Sequence, residues 1–178
     1  MSLNQATVLA AAVELLDEVG LDELSTRRLA ARLGVRVGAL YWHYANKQAL
    51  LDAIADQIIG DAAAVPLPGG DQDERLRVIA TAQREAMLAH PDGARLIATM
   101  SAPGPQGRTF YQRPIAVLRE AGLSEATAEV GTDVLTSYVN GFTIEEQARK
   151  VDGWSRRDRD RSFHAGLEVV LAGIRALR

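Results

Sequence analysis

The chain has 178 residues, of which 47 % are hydrophobic and 24 % are charged, a composition that fits one or two small globular domains. The absence of cysteine excludes a disulfide scaffold, a thiol nucleophile and cysteine-ligated zinc, and it fits a reducing compartment. Three scattered histidines predict neither a metal site nor a cofactor. No apolar run approaches the roughly 20 residues that span a bilayer, and no signal peptide is evident. We therefore expect no membrane partner and a cytoplasmic location.

The distribution of charge is more informative than the net charge of −3. Between Leu24 and Leu51 the sequence contains no acid, and acids flank this window on both sides. A locally basic face on an acidic protein indicates contact with phosphate, although a solvated helix face would give the same pattern. The cations of the window are Arg27, Arg28, Arg32, Arg36 and Lys47.

Apolar residues at helical spacing predict four helices in the N-terminal part of the chain. They are a helix over 5–19 ended by Gly20, a short helix begun by Ser25 or Thr26 and ended by Gly34, a helix over 37–44, and a long helix capped by Asn46. Residues 64–70 (AVPLPGG) then form the clearest break in the pattern.

Helical patterning resumes after the break and continues to the C-terminus. It predicts helices over 73–90, over a short segment ending near 100, over 106–121 and over 124–150, then a turn at 152–153 and a final helix that starts at the capping-box-like Ser155–Asp158. The predicted fold is all-α. It comprises a three-helix helix–turn–helix domain over 1–46, a connecting helix over 47–64, and a helical ligand-binding and dimerisation domain over 65–178.

Residues 26–43 have the form of a helix–turn–helix motif, in which Gly34 lets two short helices cross steeply. We expect Leu29, Leu33, Val35 and Leu40 to face inward. Purely structural bundles contain similar arrangements. The residues expected to face outward are Thr26, Arg27, Arg28, Arg36, Val37, Ala39, Tyr41 and His43.

The residues themselves narrow this interpretation. The segment LYWHYANKQALL at 40–51 closely resembles the recognition helix and following helix of the TetR family, in its tetracycline-repressor branch. LSTRRLA at 24–30 is similar to the start of the motif in that family. The resemblance extends to HPDGA at 90–94, GFTIEEQ at 141–147 and FHAGLE at 163–168, and so covers nearly the whole chain.

This resemblance implies a ligand-responsive transcriptional regulator, a repressor that binds near-palindromic operator DNA as a homodimer. Val37, Gly38 and Ala39 cannot pair bidentately with bases, so we expect Arg27 and Arg36 to carry most of the direct readout. Arg36 could equally contact phosphate, and Trp42 could equally be a packing residue. The DNA-binding residues implied by the motif are Thr26, Arg27, Arg28, Arg36, Val37, Gly38, Ala39, Tyr41, Trp42, His43 and Lys47.

A stripe along the last helix is interpreted as part of the subunit interface, which the last two long helices would build. Gly166 and Gly173 would allow close approach of the backbones. The alternative is that the stripe packs only within its own chain. The stripe consists of Phe163, Leu167, Val170, Leu171 and Ile174.

The resemblance also implies an effector pocket. The residues at these positions differ from those of the tetracycline-repressor branch. Ile97 stands where the branch has a magnesium-ligating histidine, and Ala63 and Ile79 replace two polar anchors; isoleucine cannot ligate magnesium. We therefore expect a small, largely apolar effector other than magnesium–tetracycline. The implied effector-binding residues are Ala63, Ile79, Gln83, Ile97, Met100, Ser101, Tyr111, Pro114, Thr132, Thr136 and Glu145 of the partner subunit.

Two further features, an adjacent pair of glutamates and a histidine, have the residue types of a reactive site. Glu145 and Glu146 are adjacent on a helix and point about 100° apart, so they do not converge on a substrate. His90 precedes a proline, and we expect a structural or hinge role for it. No catalytic grouping is evident, and we predict that the protein is not an enzyme. The alternative function is an all-helical small-molecule-binding protein without a DNA function, or a helical enzyme.

Overall fold

The computed structural model describes residues 3–148 and 155–177, and all regular structure within these ranges is helical. The predicted turn at 152–153 and the predicted helix end at 150 lie outside them. The helices of the described ranges are α1 (Gln5–Glu23), α2 (Thr26–Leu33), α3 (Val37–Leu40), α4 (Lys47–Ala64), α5 (Gln72–Leu88), α6 (Gly93–Ala98), α7 (Pro105–Glu120), α8 (Glu125–Ala148) and α9 (Arg156–Arg175). None of these is both long and apolar enough to cross a bilayer.

Local capping residues set most of the helix boundaries in the N-terminal part. Ser25 accepts a hydrogen bond from the backbone N–H of Arg28 and starts α2, and Asn46 does the same for α4 through the N–H of Ala49. Gly34 ends α2 in the left-handed conformation, with φ of 67°. Gly20 leaves the helical conformation as predicted, but the chain after it makes one more turn to Glu23.

The third helix is shorter than predicted, because it ends at Leu40 instead of continuing to Tyr44. Residues 41–43 form a turn, which allows the Tyr44 side chain to point into the core beside α1. There the Tyr44 hydroxyl donates a hydrogen bond to the carbonyl oxygen of Gln5 at 3.3 Å. Burial of this ring competes with continued helix and determines where α3 ends.

Two hydrophobic cores organise the chain, and α4 contributes to both. Leu50, Ile54 and Ile58 are buried with α1, α2 and α3 in the first core. Ile59 and Ala62, farther along α4, are buried with α5, α7, α8 and α9 in the second. Leu96 of α6 is also buried in the first core, so the N-terminal helices are joined to the rest of the chain through the connecting helix and through α6.

The apolar stripe of α9 belongs to the second core of its own chain. Phe163, Leu167, Leu171 and Ile174 are buried without any partner subunit, and Val170 is half-buried against them. The interpretation of this stripe as the subunit contact is therefore wrong, because α5 and α8 already cover it. A Cβ on Gly166 would overlap the Tyr138 hydroxyl, so this glycine allows α8 and α9 of one chain to approach closely.

A buried ion-pair network connects α5, α8 and α9. The Arg84 side chain is only 1 % exposed, and its Nε and Nη2 atoms lie 2.8 Å from the two carboxylate oxygens of Glu146. Asp160 lies 2.8 Å from Arg84 Nη2, and the guanidinium stands 4.8 Å from the centre of the Phe163 ring. Arg159 Nε donates a hydrogen bond to Glu146 Oε1 at 3.1 Å, the same oxygen that Arg84 Nη2 contacts. The charges of Arg84 and Glu146 therefore compensate each other in the interior, and Arg159 and Asp160 extend the network to the surface.

Removing the central cation of this network should be strongly destabilising. We expect Arg84→Ala to lower the free energy of unfolding in urea by about 3–5 kcal/mol, because Glu146 is left buried with only part of its compensation. Arg119→Ala is the matched control, since Arg119 pairs with Glu125 at the exposed surface and should change stability little. Equal losses in the two variants would contradict this account.

Candidate functional site

The helix–turn–helix segment presents its predicted DNA-binding residues to solvent. Leu29, Ala30 and Leu40 are buried beneath α2 and α3, as the motif requires. Trp42 is 89 % exposed, so it is not a packing residue within the chain. None of the eleven predicted positions is buried: Arg27, Arg28, Arg36, Gly38, Tyr41, Trp42 and Lys47 are exposed, and Thr26, Val37, Ala39 and His43 are half-buried.

The cations of this region separate into two groups. Arg32 turns toward α1, where it pairs with Glu14 at 2.9 Å and Glu18 at 2.7 Å, and these hydrogen bonds raise the pKa of its guanidinium. Arg28 pairs with Glu23. The second group consists of exposed cations that form no ion pair within the described residues, and its members are Arg27, Arg36 and Lys47. This second group is available to meet phosphate or base edges.

The corner between α5 and α6 contacts the C-terminal end of α1. His90 Nδ1 lies 2.7 Å from Asp17 Oδ1, and Asp92 Oδ2 accepts a hydrogen bond from the Leu21 N–H at 3.1 Å. Asp92 adopts a left-handed conformation, with φ of 59°. Gln147 of α8 braces the corner from the other side, because its Nε2 donates to the His90 carbonyl at 2.8 Å. The corner gives the DNA-binding helices a polar connection in addition to α4.

The predicted effector positions lie at different depths around α5, α6, α7 and α8. Ile79, Gln83, Pro114 and Thr132 are buried; Ala63, Ile97, Met100, Tyr111 and Thr136 are half-buried; Ser101 and Glu145 are exposed. Ile79 belongs to the second core, whereas Ile97 packs against both cores. Glu145 and Glu146 diverge, since Glu146 points inward to Arg84.

Two polar atoms among these positions are buried without a hydrogen-bond partner. The Gln83 side chain is 3 % exposed; its Nε2 donates to Asn140 Oδ1 at 2.8 Å, but its Oε1 accepts no hydrogen bond. Thr132 Oγ1 is also buried and unpaired. Unsatisfied buried polar atoms are rare in native proteins and mark places where water or a ligand binds.

Tyr111 is the other polar anchor that the structure defines at these positions. Its hydroxyl donates to Asp133 Oδ1 at 2.6 Å, and this hydrogen bond, with burial, raises the pKa of Tyr111 to about 12. Thr136 Oγ1 instead donates to the Thr132 carbonyl within its own helix at 2.9 Å. Over the ranges 3–148 and 155–177, no cluster of three or more histidine, aspartate or glutamate side chains is arranged to hold a metal ion.

Sequence reasoning missed the polar contacts that join α4 to the segment that precedes and starts α7. Asp52 and Asp56 of α4 each accept two hydrogen bonds from that segment. Nothing in the local pattern identifies them, because an aspartate on a helix face usually faces water. The available signal was their spacing of four residues, which places both on one face of the helix.

Comparison with known proteins agrees with this architecture. A profile described as "Bacterial regulatory proteins, tetR family" matches residues 8–54, and one described as "Tetracyclin repressor-like, C-terminal domain" matches residues 65–159. The class A tetracycline repressor from transposon 1721 of Escherichia coli is 35 % identical over 97 % of this chain and 90 % of its own length.

Solved structures cover the whole chain at similar identity. A TetR variant from Acinetobacter baumannii AYE bound to minocycline is 37 % identical, with a TM-score of 0.88 over 99 % of both chains. BioQ on its double-stranded DNA operator is 34 % identical, with a TM-score of 0.85 over 98 % of this chain and 99 % of that one.

A third structure adds a different ligand. ActR of Streptomyces coelicolor in complex with (S)-DNPA is 29 % identical, with a TM-score of 0.87 over 99 % of this chain and 98 % of that one. Fold, exposed helix–turn–helix face and sequence similarity agree over the full length. The chain belongs to the TetR family of ligand-responsive, DNA-binding transcriptional repressors, which are not enzymes.

Proposed function

We propose that this protein binds near-palindromic operator DNA as a homodimer and is released by a small, largely apolar effector other than magnesium–tetracycline. The observation that carries the proposal is the outward face of residues 26–47, where Trp42 and the unpaired cations are exposed above a packed Leu29–Leu40 contact. The alternative of a binding protein without a DNA function is not favoured, because this face is intact. Since the target is DNA, we place the site of action in the cytoplasm.

Each group on the DNA-binding face has a role that follows from its chemistry. Arg27 and Arg36 can donate bidentately to guanine, whereas the first turn of α3, with Val37 and Ala39, can only meet thymine methyl groups. Lys47 is the first residue of α4, where the helix dipole also favours a phosphate. Sequence preference should therefore depend on few hydrogen bonds and more on DNA shape.

The surface that supports a homodimer is the outer face of α8 and α9. Val169 of α9 is 73 % exposed, and Val130 and Val134 of α8 and Leu177 after α9 are also exposed. Gly173 adds a position where a second backbone can approach, since outside its own helix no atom of the described residues lies within 4 Å of a Cβ built there. Large apolar side chains exposed on two helices that contact each other are typical of a subunit interface.

The unpaired atoms of the effector positions indicate the chemistry of the ligand. Gln83 Oε1 accepts hydrogen bonds only, so the effector should present a hydroxyl or N–H group to it. Thr132 Oγ1 can donate or accept. At other implied positions, Ile79, Ile97 and Pro114 offer apolar contact and no metal ligand. We infer an uncharged effector, of aromatic or polyketide-like character, that binds without magnesium.

Release from DNA would then be a population shift. An effector that binds more tightly when the two DNA-binding domains stand apart favours that state by its difference in affinity, typically about 1–3 kcal/mol. The same difference weakens DNA binding. No new contact between effector and DNA is needed, because α4 is common to both cores.

A binding experiment should distinguish contacts to bases from contacts to phosphates. On a duplex selected from a random pool, Arg27→Ala should weaken binding by roughly 1–3 kcal/mol and relax the preference over scrambled DNA. Lys47→Ala should weaken binding to both duplexes alike. It should also reduce, by about one, the slope of the logarithm of the binding constant against the logarithm of salt concentration. Fluorescence anisotropy at several salt concentrations measures both effects. Equal loss on both duplexes for Arg27→Ala would remove its base-reading role.

The homodimer depends on the outer face of α8 and α9. Val169→Asp should convert the protein from a dimer to a monomer in sedimentation velocity, because it introduces a charge at the centre of an apolar contact. Val65→Asp is the control, since Val65 is an exposed valine at the C-terminal end of α4 and belongs to neither α8 nor α9. A dimeric Val169→Asp protein would show that the subunits meet elsewhere.

The departure at position 97 predicts which drug complex the protein does not bind. Titration calorimetry with tetracycline and magnesium should show no sub-micromolar binding, because Ile97 cannot ligate the ion. The same sample should bind the selected duplex, which shows that it is active. Tight binding of the magnesium complex would overturn the proposed effector class.

A further inference from the structure

Two carboxylates on one face of α4 hold the segment that precedes and starts α7. Asp52 Oδ1 accepts a hydrogen bond from the Ser101 N–H at 3.1 Å, and Asp52 Oδ2 accepts one from the Ser101 hydroxyl. One turn later, Asp56 Oδ1 accepts from the Gly107 N–H at 2.8 Å and Asp56 Oδ2 from the Gln106 N–H at 3.2 Å. The four bonds connect α4 to residues 101–107 over about 50 residues of sequence.

Asp56 replaces the cap that α7 lacks. The N-cap residue of α7 is Gly104, which has no side chain to cap the helix, and Pro105 follows it. The first N–H groups of a helix need an acceptor, and a negative charge there is favoured by the helix dipole. A Cβ on Gly104 would overlap the Asp56 carboxylate, so the glycine lets α4 approach.

The contact is not supported by close apolar packing on its outer side. A cleft of about 450 Å³ opens between α1, α4 and the start of α7, and Leu9, Tyr44, Asp56 and Pro105 are among its lining residues. Farther along α4, Ile59 and Ala62 share an apolar core with Phe110 of α7, and Arg113 of α7 donates to the Ala62 carbonyl at 2.8 Å. The carboxylates therefore hold the start of α7, beyond the part of α4 that apolar packing already holds. Hydrogen bonding to Ser101 and Gln48 outweighs the effect of burial and lowers the pKa of Asp52, so this side chain is ionised at neutral pH.

The position of the contact connects the two functions of the chain. Ser101 is one of the implied effector positions, and α4 carries the DNA-binding helices at its N-terminal end. We infer that Asp52 and Asp56 are positioning residues that set the angle of α4, and with it the DNA-binding domain, relative to the effector-binding helices. The inference uses the proposed effector site only to explain what would shift Ser101.

The angle can be measured without knowing the effector. Because the chain has no cysteine, Ala31→Cys on α2 and Ala116→Cys on α7, both exposed in the native protein, give one nitroxide in each part. The labelled full-length protein is mixed with excess unlabelled protein, so that distances within one chain are measured by pulsed electron paramagnetic resonance whether or not the protein is a dimer. With Asp52 and Asp56 in place, the distance between the two nitroxides should have one narrow distribution.

Loss of the carboxylates should broaden or shift that distribution. We expect Asp52→Ala with Asp56→Ala to widen it about twofold, because α4 loses its hold on residues 101–107 and samples more orientations. Asp56→Asn alone should give a width between those of the native protein and Asp56→Ala, since its amide oxygen can still accept one of the two N–H groups but its NH2 group cannot accept the other. Asp61→Ala, on an exposed position of the same helix, is the matched control and should leave the distribution unchanged.

The outcomes separate a positioning role from a merely structural one. A wider distribution in the alanine variants, with an intermediate width for Asp56→Asn, supports the inference. A lower melting temperature with an unchanged distribution overturns it, because the residues would then stabilise the fold without setting the angle. The single variants Asp52→Ala and Asp56→Ala answer the same question if the double variant does not fold. Failure of the proposed dimer or effector would leave these distances unaffected.

Discussion

The fourth helix is the element on which the behaviour of this chain depends, because its side chains are buried in two separate cores. Leu50 and Ile54 belong to the core of the DNA-binding helices, and Ile59 and Ala62 belong to the core of the effector-binding helices. Burying apolar side chains at both ends of one rigid helix makes rotation in one core a displacement in the other. An effector can therefore influence DNA binding without touching the DNA-binding helices.

Polar contacts determine how that helix is held. The corner at His90 and Asp92 contacts α1, and the carboxylates of Asp52 and Asp56 hold the start of α7. Such contacts differ from apolar packing because they are directional and can exchange with water. In contrast, the buried Arg84–Glu146 pair lies between α5 and α8 and fixes the part of the chain that carries the proposed subunit surface. The C-terminal half is thus cross-linked by a buried ion pair, whereas directional polar contacts add to the apolar packing between it and the N-terminal half.

The sequence predicts what local chemistry determines, and it fails where distant residues decide. Ser25, Gly34 and Asn46 fix their helix ends through contacts within a few residues, so these boundaries were predictable. The end of α3 was not, because it depends on burial of Tyr44 against α1. Periodicity identified the stripe on α9 but could not distinguish a core within the chain from a contact between chains.

The candidate site also has a part that the sequence predicts and a part that only the folded structure shows. The exposed face of the helix–turn–helix follows from a compact local motif, and the structure places all its predicted residues at or near the surface. The effector positions come from several helices, so their burial and the unpaired atoms of Gln83 and Thr132 appear only once the chain is folded. Asp52 and Asp56 belong to no sequence motif, and only the tertiary structure connects them to α7.

The most direct test of the account is a hydroxyl-radical footprint of the native protein on a duplex selected from a random pool. Two recognition segments held by one symmetric dimer should protect two patches centred about 34–36 Å apart along one face of the DNA, with a near-palindromic sequence beneath them. A single protected patch, or two patches without that spacing, would contradict the claim that residues 26–47 enter the duplex twice in each particle.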